Sequence, residues 1–172
     1  TPTATGGSFS VDENSADGTI IGQVAADDPD GGQSLAFAIV SGDPSSLLSI
    51  DSAGIITVAG PINHEGTLPF SLTVRVTDSG NPALSVDVPV AIAINNVNEA
   101  PVVSNDSFTV SESAPLGFII GWVTANDPDF GQTKTFAITA GNESGRFSID
   151  SSTGAISRLA PLDFETTPSY TL

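Results

Sequence analysis

Cysteine and methionine are absent from the 172 residues, and basic residues are scarce, with 4 lysines and arginines against 20 aspartates and glutamates. The lack of cysteine means that the chain folds without disulfides and offers no thiolate to a zinc ion. The formal net charge of -16 argues against binding to nucleic acid or to an anionic membrane surface, because both need a basic face. No run of 18 apolar residues occurs, so no membrane-spanning segment is predicted.

Threonine, serine, valine, isoleucine and glycine are plentiful, and this composition favours strands over helices. Apolar and polar residues alternate over Phe70–Val76 and again over Leu84–Ile94, which is typical of half-buried strands in a sandwich. Turn signals, such as Asp30-Gly-Gly32 and Ser41-Gly-Asp-Pro44, separate shorter segments of the same kind. Seven strands are predicted in the first half of the chain, near residues 8–12, 18–26, 35–40, 47–51, 55–58, 69–77 and 84–95.

The second half of the chain repeats the first. Phe9-Ser-Val-Asp-Glu13 matches Phe108-Thr-Val-Ser-Glu112, and Asp28-Pro-Asp30 matches Asp127-Pro-Asp129. A period of about 100 residues is the size of an immunoglobulin-like domain. The predicted fold is all-β, with two tandem Greek-key β-sandwich domains of the immunoglobulin-like type. The second is expected to be incomplete, because Leu172 corresponds to Leu72 and the last two strands of the first copy have no counterpart.

The predicted domain limits follow from this repeat. Residues 1–7 are an N-terminal extension or preceding linker, 8–95 form domain 1, 96–101 form a linker, and 102–172 form domain 2 without its last two strands. The linker ends in Ala100-Pro101, and proline disfavours helix in the residue before it, so an extended connection is expected.

Residues with side-chain oxygens are expected to converge on this linker from both domains. Carboxylates and carbonyls select calcium or magnesium over zinc, and five close carboxylates would repel one another without a cation. The sequence therefore predicts a calcium site at the joint, formed by Glu13, Glu65, Asn96, Asn98, Glu99, Asp127 and Asp129.

These motifs, in this order, resemble tandem cadherin repeats, and in particular the cadherin-like repeats of bacterial surface and secreted proteins. The resemblance includes Leu162-Asp-Phe-Glu165, although the first copy has Ile62-Asn-His-Glu65 with asparagine in place of the aspartate. Asn96-Val-Asn-Glu-Ala-Pro101 is similar to the animal linker Asp-x-Asn-Asp-Asn-Ala-Pro but is one residue shorter. The resemblance implies two further half-sites, with Asp28, Asp30 and Asp78 at the N-terminal one and Glu112, Asp163 and Glu165 at the C-terminal one.

The function that the resemblance implies is a calcium-binding structural and adhesive module of a cell-surface or secreted protein, in which calcium stiffens the joint. Its partners would be adjacent repeats, another copy of the chain or a cell-surface ligand, with no nucleic acid and no membrane insertion. An enzyme is not expected.

Two alternatives stay open, a carbohydrate-binding module of the same fold and a strand-swapped subunit of an extracellular fibre. If Ile20, Gly22, Val24 and Ala26 face the core, then Phe118, Ile120 and Trp122 of the second copy face outward and suggest a contact surface.

Overall fold

The structure is a computed structural model that describes residues 1–30, 32–43, 45–67 and 69–172. The predicted turn positions Gly31 and Pro44 lie outside the described residues. The chain divides into two compact units, Thr1–Val97 (unit 1) and Asn98–Leu172 (unit 2). Every regular element in the described ranges is a strand, which confirms the predicted all-β class. A helix long and apolar enough to cross a membrane does not occur in the part of the chain that the structure describes.

Unit 1 is a two-sheet sandwich. Its strands are β1 Thr3–Thr5, β2 Gly7–Asp12, β3 Ile20–Gln23, β4 Ala25–Asp27, β5 Leu35–Ser41, β6 Leu48–Ile50, β7 Ile55–Val58, β8 Phe70–Asp78 and β9 Ser85–Asn95. One sheet has the order β2-β9-β8-β5 and the other the order β3-β7-β6, while β1 pairs with β4 in a short two-stranded extension. The β2–β9 pair is parallel, and the other pairs in unit 1 are antiparallel.

The core of unit 1 follows the period-two pattern of its two longest strands. In β8 the inward residues Phe70, Leu72, Val74 and Val76 are all buried, and β9 continues the same core with alternate residues from Val88 to Ile94. Because successive side chains of a strand point to opposite faces, one run of alternating apolar residues is enough to place a whole strand against the facing sheet. Ile56 of β7 and Ile62 also belong to this core.

A register shift changes the inward-facing set that was predicted for β3. The pairing of β3 with β7 skips one residue between Ile20 and Gly22, so two consecutive residues of β3 oppose one residue of β7. Ile20 is consequently 68% exposed, and Ile21 packs against the core instead. The prediction that Ile20 faces the core was therefore wrong, whereas Val24 is buried as predicted.

Unit 2 repeats the smaller sheet of unit 1. Its sheet has the order β11-β14-β13, and β10 pairs with β12 as β1 pairs with β4. The same register shift occurs between Ile119 and Gly121. The strands of unit 2 are β10 Val102–Val103, β11 Ile119–Trp122, β12 Ala125–Asn126, β13 Phe147–Ile149 and β14 Ala155–Arg158.

The repeats of β2 and β5 are not strands in unit 2. In unit 1, β2 pairs with β9 and β5 pairs with β8, so both take their ladder hydrogen bonds from the two longest strands. Residues 106–111 and 134–140 match β2 and β5 in sequence but carry no ladder. Of the strands with which they would pair, the 172 residues hold a match only to the first three residues of β8, at 170–172, and none to β9.

Because of the register shift, the predicted outward set of unit 2 was wrong at one position. Phe118 and Trp122 are exposed as predicted, by 45% and 56%, but Ile120 is half-buried and Ile119 takes the exposed place.

Candidate metal centre

Three aspartates gather at one end of unit 1. The N-terminal ammonium of Thr1 lies 3.8 Å from Oδ2 of Asp28, 3.4 Å from Oδ2 of Asp30 and 4.0 Å from Oδ2 of Asp78. The side chains of Asp28 and Asp78 are nearly inaccessible, whereas that of Asp30 is exposed. Oδ2 of each aspartate in the predicted N-terminal half-site therefore lies within 4.0 Å of the same nitrogen atom, so the three oxygens face one common point.

Each buried aspartate of this group holds its own loop with one carboxylate oxygen. Oδ1 of Asp28 accepts a hydrogen bond of 2.8 Å from the amide of Asp30, which closes the Asp-Pro-Asp turn. Oδ1 of Asp78 accepts from the amides of Gly80 and Leu84 at 3.1 and 2.8 Å. In both residues Oδ2 is the oxygen that faces the common point, so the loops are fixed without using the oxygens that a cation would need.

At the opposite end of unit 1, Glu13 joins three segments of the chain. It is only 2% exposed, and its two oxygens accept hydrogen bonds from the amides of His64 at 2.8 Å and Val97 at 2.7 Å. A carboxylate oxygen of Glu65 lies within 4.8 Å of one of Glu13. Nδ2 of the Asn96 side chain donates a hydrogen bond of 3.4 Å to Oε1 of Glu65. The structure thus brings together the predicted ligands Glu13, Glu65 and Asn96 within unit 1.

The first residues of unit 2 are held by the second Asp-Pro-Asp turn. Oδ1 of Asp127 accepts from the amide of Asp129 at 3.1 Å, as Asp28 does from Asp30. Oδ2 of Asp129 accepts from the amide of Glu99 at 2.7 Å. Within unit 2 the structure therefore places Asp127 and Asp129 in one turn, with the backbone of Glu99 against Asp129.

Two side chains near this turn depart from the prediction in detail. The side-chain oxygen of Asn98 accepts a hydrogen bond of 2.7 Å from Nε2 of Gln132, so this oxygen already has one partner. Gln132 was not among the predicted residues. A signal for it exists in the sequence, because Gln33 stands at the same distance after the first Asp-Pro-Asp. In unit 1, Gln33 lies beside Gly80 in the Asp78 loop.

The predicted C-terminal half-site lies wholly within unit 2. Glu112, Asp163 and Glu165 are exposed, and each offers an oxygen within 4.8 Å of the others. Oε2 of Glu112 accepts from the amide of Phe164 at 2.8 Å, which repeats the bond from His64 to Glu13. Hydrogen bonds from the Thr166 hydroxyl and amide hold the pKa of Asp163 below its ordinary value, so this group is anionic at neutral pH.

The donor chemistry of these clusters fits calcium. The clustered carboxylates offer oxygens, which suit calcium or magnesium. His64, the only histidine in the sequence, donates its amide to Glu13, and its ring Nδ1 lies 3.4 Å from Oε1 of Glu65. Two buried carboxylate oxygens, Oδ2 of Asp28 and Oδ1 of Asp129, accept no hydrogen bond among the described residues, although Oδ2 of Asp28 lies 3.8 Å from the Thr1 ammonium. Because a buried carboxylate oxygen without a hydrogen bond is costly, a bound cation is the natural complement.

Comparison with known proteins agrees with this architecture. The family model of the cadherin domain matches residues 7–95 and 106–172. The chain is 35% identical over 174 residues to the Protocadherin-like wing polarity protein stan of Drosophila melanogaster, and 34% identical over 171 residues to Protocadherin Fat 4 of Mus musculus. Each alignment covers 94% of the chain but only 5% and 3% of the respective relative, so the chain spans a small part of these proteins.

Solved structures give the same result. The crystal structure of mouse Cadherin-23 EC22-24 superposes with a TM-score of 0.66 at 27% identity, covering 97% of this chain and 56% of that one. Drosophila N-cadherin EC1-4 superposes with a TM-score of 0.69 over 99% of this chain and 43% of that one, at 22% identity, which supports the fold alone. The predicted Greek-key sandwich is confirmed, and the chain belongs to the cadherin-domain family as two tandem repeats.

Proposed function

We propose that this chain is a calcium-binding structural and adhesive segment of an extracellular protein, and that calcium stiffens the joint between its two repeats. The observation that carries the proposal is a pair of hydrogen bonds between linker amides and carboxylates. The amide of Val97 is bound by Glu13 of unit 1, and the amide of Glu99 is bound by Asp129 of unit 2.

The two amides lie close to each other along the covalent chain. The amides of Val97 and Glu99 are two residues apart, which corresponds to at most about 7 Å in a fully extended chain. Carboxylates of both repeats are therefore tethered around one short segment, which itself adds the oxygens of Asn96, Asn98 and Glu99. In this proposal Glu13, Glu65, Asp127 and Asp129 supply the charge, and calcium takes the six to eight oxygen ligands that it prefers.

Electrostatics supports the same function. The formal net charge of the chain is -16, and the carboxylates at each repeat end repel one another in the absence of a cation. A calcium ion bound at these carboxylates would reverse this repulsion and restrict motion at the linker. The N-terminal and C-terminal half-sites would act in the same way toward neighbouring repeats, which makes adjacent repeats of the same protein the first partners.

An extracellular adhesive role is supported by the family to which the chain belongs. The relatives named above are protocadherins, and another similar structure is that of the protocadherin gammaB7 EC3-6 cis-dimer. We propose by analogy that this segment lies outside the cell and works by holding and presenting repeats, without enzymatic activity.

The exposed apolar residues of unit 2 favour a second role, contact with another copy of the chain or with a cell-surface ligand. Phe118, Ile119 and Trp122 are exposed by 45%, 46% and 56%, whereas unit 1 has threonine and glutamine at the first and last of these positions. Replacing Trp122 by serine should weaken self-association in sedimentation experiments if this contact exists. Identical sedimentation of both proteins over a wide concentration range would speak against it.

The calcium proposal is tested by calorimetry and scattering. Calcium at about one hundred times its dissociation constant should stabilise the folded chain by about 2.7 kcal/mol, because it binds the folded state only. Removal of calcium with a chelator should also broaden the distance distribution in small-angle scattering, because the linker is then free to bend. Identical melting and scattering with and without the chelator would refute the proposal.

Variants on each side of the linker make the test specific. Glu65→Gln and Asp127→Asn should each weaken calcium binding, since each removes one carboxylate from the proposed site. Asp87→Asn is the matched control, because Asp87 lies near the start of β9, where it pairs with Arg75 of β8, and its replacement removes the same charge elsewhere. An equal loss of affinity in the control would show that only overall charge matters.

A further inference from the structure

Strand β14 ends on a buried arginine. Arg158 is 6% exposed and pairs with Phe147 of β13. The same place in unit 1 is occupied by Val58, which is 2% exposed and pairs with Leu48. A permanently charged guanidinium therefore replaces a core valine at the end of the strand, and a buried charge of this kind needs compensating partners.

The partners of Arg158 are backbone carbonyls of two loops. Nη1 donates to the carbonyl of Glu112 at 2.7 Å and also to that of Ala114, while Nε donates to the carbonyl of Ala160 at 3.1 Å. The first loop carries Glu112 itself, and the second leads to Asp163 and Glu165. One guanidinium thus connects the two loops that carry the C-terminal acidic cluster.

A second arginine acts on the same segment. Nη1 of Arg146 donates to the carbonyl of Pro161, next to the carbonyl that Arg158 binds. Its counterpart in unit 1 is Leu47, which packs against the apolar core. Both replacements place a positive charge where unit 1 has an apolar side chain, and both charges reach the segment before Asp163.

Unit 1 ties the corresponding loops together by other means. The amide of Asn14 donates to the carbonyl of Ile62 at 2.9 Å, and Ile62 is 1% exposed. In unit 2 the matching residue Leu162 is only half-buried. Ser113 donates its amide to Oγ of Ser111 at 3.2 Å, and the described residues show no bond from it to Leu162.

From these contacts we infer that Arg158, assisted by Arg146, positions the loops of Glu112, Asp163 and Glu165 before any cation binds. The inference rests on the proposed function only in giving these carboxylates a calcium-binding purpose. The positioning itself is a property of the metal-free chain. Arginine suits the task because its rigid fork spreads donors over three nitrogens and reaches carbonyls of both loops, whereas the donors of lysine all lie on one nitrogen.

Amide hydrogen exchange in excess chelator tests the inference, with one reporter in each repeat. The amide of Phe164 donates to Glu112, and the amide of His64 makes the matching bond to Glu13. In Arg158→Met the protection of the Phe164 amide should fall roughly tenfold to a hundredfold, the effect expected from losing a hydrogen bond to a charged donor. The His64 amide should keep its protection.

Two controls separate positioning from general instability. The amide of Val123, which donates to the carbonyl of Gly154 at 2.9 Å, reports whether the sheet of unit 2 is intact. Arg75→Met removes the same charge from the surface of unit 1 and should leave Phe164 unchanged. Full protection of Phe164 in Arg158→Met, or an equal loss in Arg75→Met, would overturn the inference.

A conservative variant covers the case in which Arg158→Met unfolds unit 2. Arg158→Lys keeps the charge but should restore only part of the Phe164 protection while Val123 stays protected, and full protection in this variant would also overturn the inference. Calcium titration of the intact protein is a separate measurement. A chain that fails to bind calcium but shows the expected exchange pattern would refute the proposed function and leave the positioning role standing.

Discussion

Unit 1 and unit 2 share their turns and their smaller sheet but differ in the larger sheet. In unit 1 the strands β8 and β9 carry most of the buried apolar side chains, whereas the buried apolar residues of unit 2 are Phe147, Ala155 and Ile156 among those described. The amide of His64 nevertheless donates to Glu13 in unit 1 as the amide of Phe164 donates to Glu112 in unit 2. Both hydrogen bonds are 2.8 Å long. This contact, between residues that are 51 positions apart in unit 1 and 52 in unit 2, is therefore formed both with and without the ladder of the larger sheet.

The largest expected difference concerns the equivalent residues Ile62 and Leu162. Ile62 is 1% exposed and belongs to the core of unit 1, while Leu162 is half-buried. Ile62→Ala should destabilise unit 1 by about 2–5 kcal/mol, because it removes buried methylene groups and leaves a cavity. Leu162→Ala should cost less, because this side chain already has partial contact with water. Urea unfolding followed by circular dichroism measures both losses, and equal losses would contradict the structure.

The equivalent residues Glu13 and Glu112 should show a second difference in stability between the units, smaller than the first. Glu13 is buried and accepts hydrogen bonds from two backbone amides, so Glu13→Gln should cost about 1–3 kcal/mol by leaving one buried donor unsatisfied. Glu112→Gln should cost less than about 0.5 kcal/mol, because the side chain is exposed and its remaining oxygen can still accept from Phe164. Urea unfolding in the presence of a chelator isolates these costs from metal binding. A larger loss for Glu112→Gln would reverse the expected order.

The smallest expected effect concerns acid. The hydroxyl of Ser152, together with the amide and hydroxyl of Thr153, lowers the pKa of Asp150 to about 2. Because the folded-state pKa is below the unfolded value of about 3.9, the contribution of this group is complete above that pH and is lost as the pH falls toward 2. A carboxyl titration by NMR should show this low midpoint, and Ser152→Ala should raise it. An unchanged midpoint in the variant would show that the hydroxyl is not responsible.

Most of the fold could be predicted from the sequence because period-two alternation has few interpretations. Strand β7 falls at its predicted residues, and β8 and β9 begin and end within one residue of theirs. Strand β1 is missing from the prediction, since Thr3–Thr5 is too short to show a pattern and is a strand only through its pairing with β4. Ile20 was assigned to the wrong face because a bulge has no signature in an apolar run.

The structure brings the predicted site residues together within each unit, but the contacts of Gln132 and Arg158 could not be predicted from their residue types. Gln132 binds Asn98 by an amide contact that depends on a turn geometry, although its repetition at Gln33 was a usable signal. Arg158 is a charged residue in a buried position, and sequence reasoning places charged residues at the surface. Only the carbonyl groups that surround it explain why it lies inside.

The parallel pairing of β2 with β9 has a mechanical consequence. Six consecutive pairs, from Gly7 with Val90 to Asp12 with Asn95, join the strand near the start of unit 1 to the strand near its end. Because both strands run in the same direction, a tension that pulls the two ends of the unit apart slides one strand along the other. All the ladder hydrogen bonds then carry the load together in shear, whereas an antiparallel hairpin under the same tension would open one bond at a time. A repeat joined in this way resists stretching along the axis of its own chain, which is the direction in which a series of linked repeats transmits force.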